Sequence, residues 1–284
     1  MIIIKQYFVY CFFFKSMNKI FNLSLMLFLS ITPCLAQINF GPRLSAMGNN
    51  GSAIQDIWSV EANPSGITGI TTPIIALNYS KYLVDSELSK QAISFVLPVK
   101  NNFIGTSFQR YGISEYNEIK AGIALAKKFG DKLSIALKGN YHQIKISNYG
   151  ASTGFSVDVG AMYHLNKQLT LGVYINNPSF QKYSSKAIET VIPTIIHVGA
   201  SYKASDKLLI ATTISKDMNA VVDVSLGIDY KLLEILSLRA GLTAKPFKQY
   251  GGFGINYKKL LLDFAIETNA YQGYTPQISL AYVF

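Results

Sequence analysis

The sequence is short of charge, of cysteine and of long apolar runs, and each shortage removes a class of protein. Charged residues make up 15% of the 284 residues, well under the roughly 25% usual for soluble domains. There are two cysteines, Cys11 and Cys34, both near the N-terminus. If the first 36 residues are removed, no thiol remains, which excludes disulfides and thiol chemistry from the mature chain. Past the first forty residues no apolar run reaches 18 residues, so no membrane-spanning helix is expected. Catalytic signatures are also missing: there is no Gly-x-Ser-x-Gly elbow, no phosphate-binding loop and no His-Glu-x-x-His. His142, His164 and His197 fall on separate predicted strands without metal-ligand spacing. The expectation is a protein that is not an enzyme and holds no cofactor and no metal.

What is present is an apolar composition spread over every second residue, the way a spanning β-barrel distributes it. In Thr275–Phe284, Ile278, Leu280, Tyr282 and Phe284 share one face, and Gln277, Ser279, Ala281 and Val283 the other. This aromatic-ended strand resembles the closing strand of outer-membrane barrels. The resemblance implies that Tyr282 and Phe284 are read by the barrel-assembly machinery of a Gram-negative bacterium.

The N-terminus carries an export pattern. Met17-Asn18-Lys19 opens a short basic region, Ile20 to Ile31 form an apolar core, and Ala36 suits the last position before cleavage. Residues 1–36 are therefore expected to be a signal peptide with Met17 as the working start; the alternative is an anchor that stays on. Cleavage removes three lysines and lowers the formal charge from +10 to +7. The basic residues are dispersed through turns and strand ends, so no nucleic-acid partner is expected.

Residues 37–72 are rich in Gly, Asn, Ser and Ala and lack alternation. They are expected to form a plug or strap at the barrel's periplasmic mouth or in its lumen. From residue 73 to 284 the pattern predicts fourteen antiparallel strands, near 73–82, 90–98, 102–111, 117–127, 132–146, 152–165, 168–176, 193–204, 207–216, 220–231, 233–244, 248–258, 260–268 and 275–284. Tight connections alternate with longer ones, as in outer-membrane barrels, and an even count returns the chain to the side where it began. The fold class expected is all-β: a transmembrane antiparallel barrel with an N-terminal plug.

Faces agree between strands. Val222, Val224, Leu226, Ile228 and Tyr230 oppose Asp223, Ser225, Gly227 and Asp229, while Leu262, Phe264 and Ile266 oppose Asp263, Ala265 and Glu267. The polar face also carries Lys120, Lys138, Asp158 and Arg239. A soluble sandwich would bury the apolar face; a membrane barrel would turn it to outer-membrane lipid and keep the polar face inside. Tyr141, Tyr163, Tyr202, Tyr230, Tyr257 and Tyr282 lie near strand ends on the apolar face, which suits an interfacial girdle and favours the barrel. Gly251-Gly-Phe-Gly254 sits mid-strand and is expected to relieve crowding in the lumen.

Gly41-Pro-Arg-Leu-Ser-Ala-Met-Gly48, followed by Ala53 to Gly66 with its Asn63-Pro64-Ser65-Gly66 turn, resembles the start of FadL-like outer-membrane barrels, above all their PorV/PorQ-type branch. Tyr174-Ile-Asn-Asn-Pro178 and Ile192-Pro-Thr are a second echo. The chain departs from the pattern at Ser65, where Ala is usual, and at Gln55-Asp56, where paired acids are common. The resemblance implies a partner of type IX protein secretion, with secretion subunits or secreted cargo docking on loops 83–89, 112–116, 177–192 and 269–274. The alternative it implies is a channel for a small hydrophobic ligand, gated by the N-terminal segment; a barrel sealed at both ends is the blander option. Arg43, Met47, Gly48, Asp56, Asn63, Pro64 and Gly66 are the plug-motif candidates. With Glu61, Arg43 and Asp56 are expected to anchor the segment to lumenal charges among Lys120, Lys138, Asp158, Asp223, Asp229, Arg239, Asp263 and Glu267.

Overall fold

The computed structural model describes residues 41–82, 87–184, 191–269 and 273–284. The expected signal peptide lies outside them with both cysteines, as do residues 37–40 and the centres of three of the expected docking loops. The described chain forms a closed barrel of fourteen strands, each paired antiparallel with its sequence neighbours and with β1 closing on β14. β1 covers Ile74–Lys81, β2 Ser89–Val99, β3 Asn102–Gly112, β4 Tyr116–Phe129, β5 Leu133–Ile146, β6 Gly150–His164 and β7 Leu169–Asn176. β8 covers Ile195–Lys203, β9 Leu208–Asp217, β10 Asp223–Lys231, β11 Leu236–Ala244, β12 Phe247–Tyr257, β13 Leu260–Asn269 and β14 Gly273–Val283. No described helix is long and apolar enough to cross a membrane.

Alternation fixes the two faces. On β10, Val224, Leu226, Ile228 and Tyr230 are exposed, whereas Ser225, Gly227 and Asp229 are buried. On β1, Leu77 and Tyr79 point out and Ala76, Asn78 and Ser80 point in. The apolar face is thus outside on strand after strand, with Ile123 and Leu125 each 61% exposed. A soluble sandwich would do the reverse, since exposing so much apolar surface to water is unfavourable. Closure also removes the free sheet edges that an open sheet would leave in hydrocarbon.

One end of the barrel is made of tight turns. Gly130 takes φ +62 in the β4–β5 turn, a conformation open to glycine at no steric cost. Asn166 caps the β6–β7 turn by accepting the amides of Gln168 and Leu169 through its side chain. Phe129, Tyr163, Tyr202, Tyr230, Tyr257 and Tyr282 ring this end on the outer face. Tyr141 departs from the expected girdle: it lies farther up β5 and packs against Phe155, ring centroids 5.4 Å apart, because β5 runs on to Ile146, paired with β4 and β6 all along, and β6 in turn runs past β7 at the other end.

That overhang shapes the wall. β6 pairs with β7 over Val159–His164 alone. Above it the following loop takes β7's place: Ser184 donates its amide to the Thr153 carbonyl at 2.8 Å, and Asn177 donates its own to Asp158 Oδ1 at 3.1 Å.

Candidate functional site

Residues 41–69 lie inside the barrel. The local chemistry is that of turns and short helices. Pro42 starts a helix over Pro42–Ala46, a single helical turn covers Ser59–Ala62, and a 3-10 helix covers Pro64–Gly69. Asn63 sets up the last of these. Its backbone is extended, as a residue before proline prefers, and its Oδ1 accepts from Ser65 N at 3.1 Å and Ser65 Oγ at 2.7 Å. Its Nδ2 donates to the Ser52 carbonyl at 2.6 Å and, across to the wall, to Ala161 O at 3.2 Å. Leu44, Met47, Val60 and Ile67 are fully buried.

The segment crosses the lumen. Helix Pro42–Ala46 packs against β11 to β14, whereas the 3-10 helix packs against β3 to β6 on the far side of the ring. Between them, Ser201 on β8 donates to the Ala53 carbonyl at 2.7 Å, and Ser225 on β10 to Asn50 Oδ1 at 3.0 Å. The approach is close because the inner face is small there. A Cβ added at Gly172 would overlap the Ser52 carbonyl, one at Gly227 the Met47 carbonyl, and one at Gly160 the Asn63 side chain. Gly48 itself takes φ +72 beside the Leu242 carbonyl, which a side chain would make costly. In Gly251-Gly-Phe-Gly254, a Cβ at Gly252 would meet Ala46, and one at Gly254 the Arg239–Asp263 pair; Gly251 has open space.

Charges hold both ends. At one, Arg43 Nη1 lies 2.9 Å from Asp56 Oδ2 within the segment, and Arg43 Nε lies 3.1 Å from Asp229 Oδ2 on the wall. Arg239 extends the chain of charges, 3.3 Å from Asp229 and 2.5 Å from Asp263. At the other, Glu61 takes Lys120 Nζ at 2.9 Å, Lys138 Nζ, and the Ser107 hydroxyl at 2.5 Å. Burial alone would push the Glu61 carboxyl up, but Lys120 and Lys138 hold it well below the usual carboxylate range. Burial likewise opposes the Arg43 charge, and Asp56 and Asp229 overcome it.

The remaining candidates are spent on the wall. Asp158 accepts from Asn140 Nδ2 at 2.8 Å and the Tyr174 hydroxyl at 2.9 Å; Tyr174 also lies 3.3 Å from the Glu61 carbonyl. Lys248 and Glu267 pair with each other at 2.8 Å. Asp223 is displaced from the role expected of it. It stands at the strand end, where its Oδ1 caps the β11–β12 turn by accepting the amides of Ala244 and Lys245. His142 meets Ser156 at 2.9 Å, His164 meets Thr170 at 2.8 Å and His197 meets Ser215 at 2.8 Å. Among the described residues no group of three or more His, Cys, Asp and Glu could hold a metal. Tyr282 and Phe284 face outward and meet edge to face, centroids 5.2 Å apart.

Part of the loop expected to dock partners turns inward instead. A Cβ at the inward-facing Gly154 would meet Ile192 and Lys182 O, and Tyr183 sits edge-on to His142. On the outer wall, Ala121 and Gly139 leave an apolar groove of about 770 Å³ walled by Ile123, Tyr141, Phe155 and Val157. It ends at the seam between β6 and the loop, at Ser179 and Gln181. Ser107, Tyr174 and the glycine seats were not among the sequence-derived site residues. Tyr174 stood in a stretch noted for resemblance, but of its partners only Asn176 lies in that stretch; the others come from β6, β8 and the inner segment.

No family model matches the chain, and neither does any curated protein sequence. Solved structures do. The CymD monoaromatic hydrocarbon channel superposes with a TM-score of 0.70 at 15% identity, over 88% of this chain and 98% of that one. The P. putida toluene transporter TodX gives 0.70 at 12% identity, over 87% and 99%. A Pseudomonas aeruginosa FadL homologue gives 0.60 at 11%, over 86% and 98%. At such identities the likeness is one of architecture: the chain has the fold of the fourteen-stranded FadL-like outer-membrane barrels.

Proposed function

We propose that this protein is an outer-membrane passage for small hydrophobic compounds, closed at rest by residues 41–69. The observation that carries the reading is how the segment is held. It crosses the lumen, yet its two ends rest on largely buried ion pairs, Arg43 with Asp229 and Glu61 with Lys120 and Lys138. Buried pairs repay little beyond their desolvation. If the lumen wets, each charge regains water, so withdrawing this segment costs less than withdrawing an apolar core of the same size. The outer groove walled by Ile123, Phe155 and Val157 offers an apolar ligand a place on the lipid side, and the channels of like fold are named for hydrocarbon and toluene. The test is uptake of a labelled monoaromatic compound into outer-membrane vesicles with and without the protein. Faster uptake supports the reading; equal rates overturn it.

A second reading, a PorV/PorQ-type partner of protein secretion, is favoured by exposed apolar residues at the loop end: Tyr149, Phe180, Val221 and Phe247. A protein that docks exported cargo needs such a surface. Release of secreted proteins from a deletion strain tests it, and unchanged release removes it.

A further inference from the structure

The turn end of the barrel carries an excess of positive charge. Each of its six turns places a lysine there: Lys100, Lys132, Lys167, Lys207, Lys231 and Lys259. The acids in the same turns are Asp131, Asp206 and Glu234; Asp206 pairs with Lys203 at 2.8 Å and Glu234 with Lys231 at 2.5 Å. The opposite end mixes the signs, with Glu115, Asp217 and Asp223 beside Lys145, Lys216 and Lys245. Positive charge is therefore gathered at one rim, whichever of the functions above the barrel performs.

The lysines coincide with the aromatic girdle. Lys127 Nζ lies 5.4 Å from the Phe129 ring centre, Lys258 Nζ 5.3 Å from Tyr257, and Lys259 Nζ 5.9 Å from Tyr282. All three rings face outward and are exposed. An outward aromatic ring marks the boundary between hydrocarbon and headgroups. Ammonium groups resting on that boundary stand at the level of lipid phosphates, and they lean along the wall instead of forming one flat patch. We infer that this rim binds the phosphate groups of anionic phospholipids in the leaflet it faces. A ring of separated point charges suits many headgroups around a cylinder. It offers no single cradle for a free phosphate, and no continuous track for an acidic peptide.

The test is native mass spectrometry of the whole barrel released from micelles holding equal amounts of phosphatidylglycerol and phosphatidylcholine. The expected result is a preference of about fivefold or more for phosphatidylglycerol adducts, the factor one well-placed lysine supplies. The variant Lys127→Gln/Lys207→Gln/Lys258→Gln/Lys259→Gln should lose it, while the loop-end variant Lys145→Gln/Lys245→Gln keeps it. Heat-modifiable gel mobility establishes that each variant is folded, and the smaller Lys258→Gln/Lys259→Gln change gives a partial loss should the fourfold variant fail. Equal adducts of the two lipids, or a preference unchanged in the rim variants, overturns the inference. So does displacement of the lipid by millimolar inorganic phosphate, or binding of polyglutamate without any lipid preference.

Discussion

Lys138 on β5 points its ammonium at the carboxylate of Glu61 on the inner segment, and the lysine side chain is wholly buried. Lys120 completes the site at 2.9 Å. Replacing Glu61 with Gln leaves Lys138, wholly buried, and Lys120, partly buried, facing each other without their shared carboxylate. Breaking a buried pair from one side costs about 3–5 kcal/mol. The expected outcome is a barrel that still folds but whose segment is released, read as protease cleavage within residues 41–69 and as raised conductance in planar bilayers. Replacing Glu61 and Lys138 together with Met should cost less, because no charge is then stranded.

Gly172 and Gly139 make a matched pair of opposite faces. A Cβ at Gly172 meets the Ser52 carbonyl; one at Gly139 meets nothing within 4 Å. Gly172→Ala should therefore lift the segment from β7, at an overpacking cost of about 1–3 kcal/mol, and raise conductance. Gly139→Ala should change neither conductance nor stability by more than about 0.5 kcal/mol. Equal behaviour of the two variants would mean that the segment does not rest on the wall at Ser52.

The two glycines also mark how far the sequence could be read. Alternation assigned the faces of β10 and β13 because a period of two survives any barrel radius. Strand ends followed from turn chemistry, as at Phe129-Gly-Asp-Lys132, so the expected 132–146 became Leu133–Ile146. The inner face looked merely small; that Gly172 seats Ser52 and Gly227 seats Met47 depends on where a non-repeating segment runs through three dimensions. Likewise Arg43 and Glu61 were expected to find wall charges, but alternation gives each wall residue a face and not a height. Asp229 stands level with Arg43, whereas Asp223 stands three inward positions higher and is taken by the β11–β12 turn.

The seating of the segment should resist mild acid. Burial would raise the Glu61 carboxyl, but Lys120 and Lys138 hold it low. A folded value below the unfolded one, roughly 4.3, means that the contribution is complete above the unfolded value and fades as pH falls toward the folded one. Conductance should be the same at pH 7 and pH 5 and rise only in stronger acid. Opening with a midpoint above pH 5 would place the controlling group elsewhere.

Leu226 and Tyr230 share the outer face of β10, one mid-strand and the other in the girdle at the turn end. If that face meets lipid, an introduced arginine must cost according to depth. Leu226→Arg, measured against Leu226→Ala, should destabilise the barrel in vesicles by about 2–4 kcal/mol, and Tyr230→Arg against Tyr230→Ala by about 0–1 kcal/mol. Urea titration of folding into vesicles gives both differences. The comparison with alanine at the same site removes the loss of each native side chain, so what remains is the charge and its depth. A water-facing wall has no depth axis, and there the two arginines would cost alike. A protein whose outer face is wetted therefore fails this comparison even when its barrel is intact, and one set in a bilayer passes it whichever compound or partner it serves.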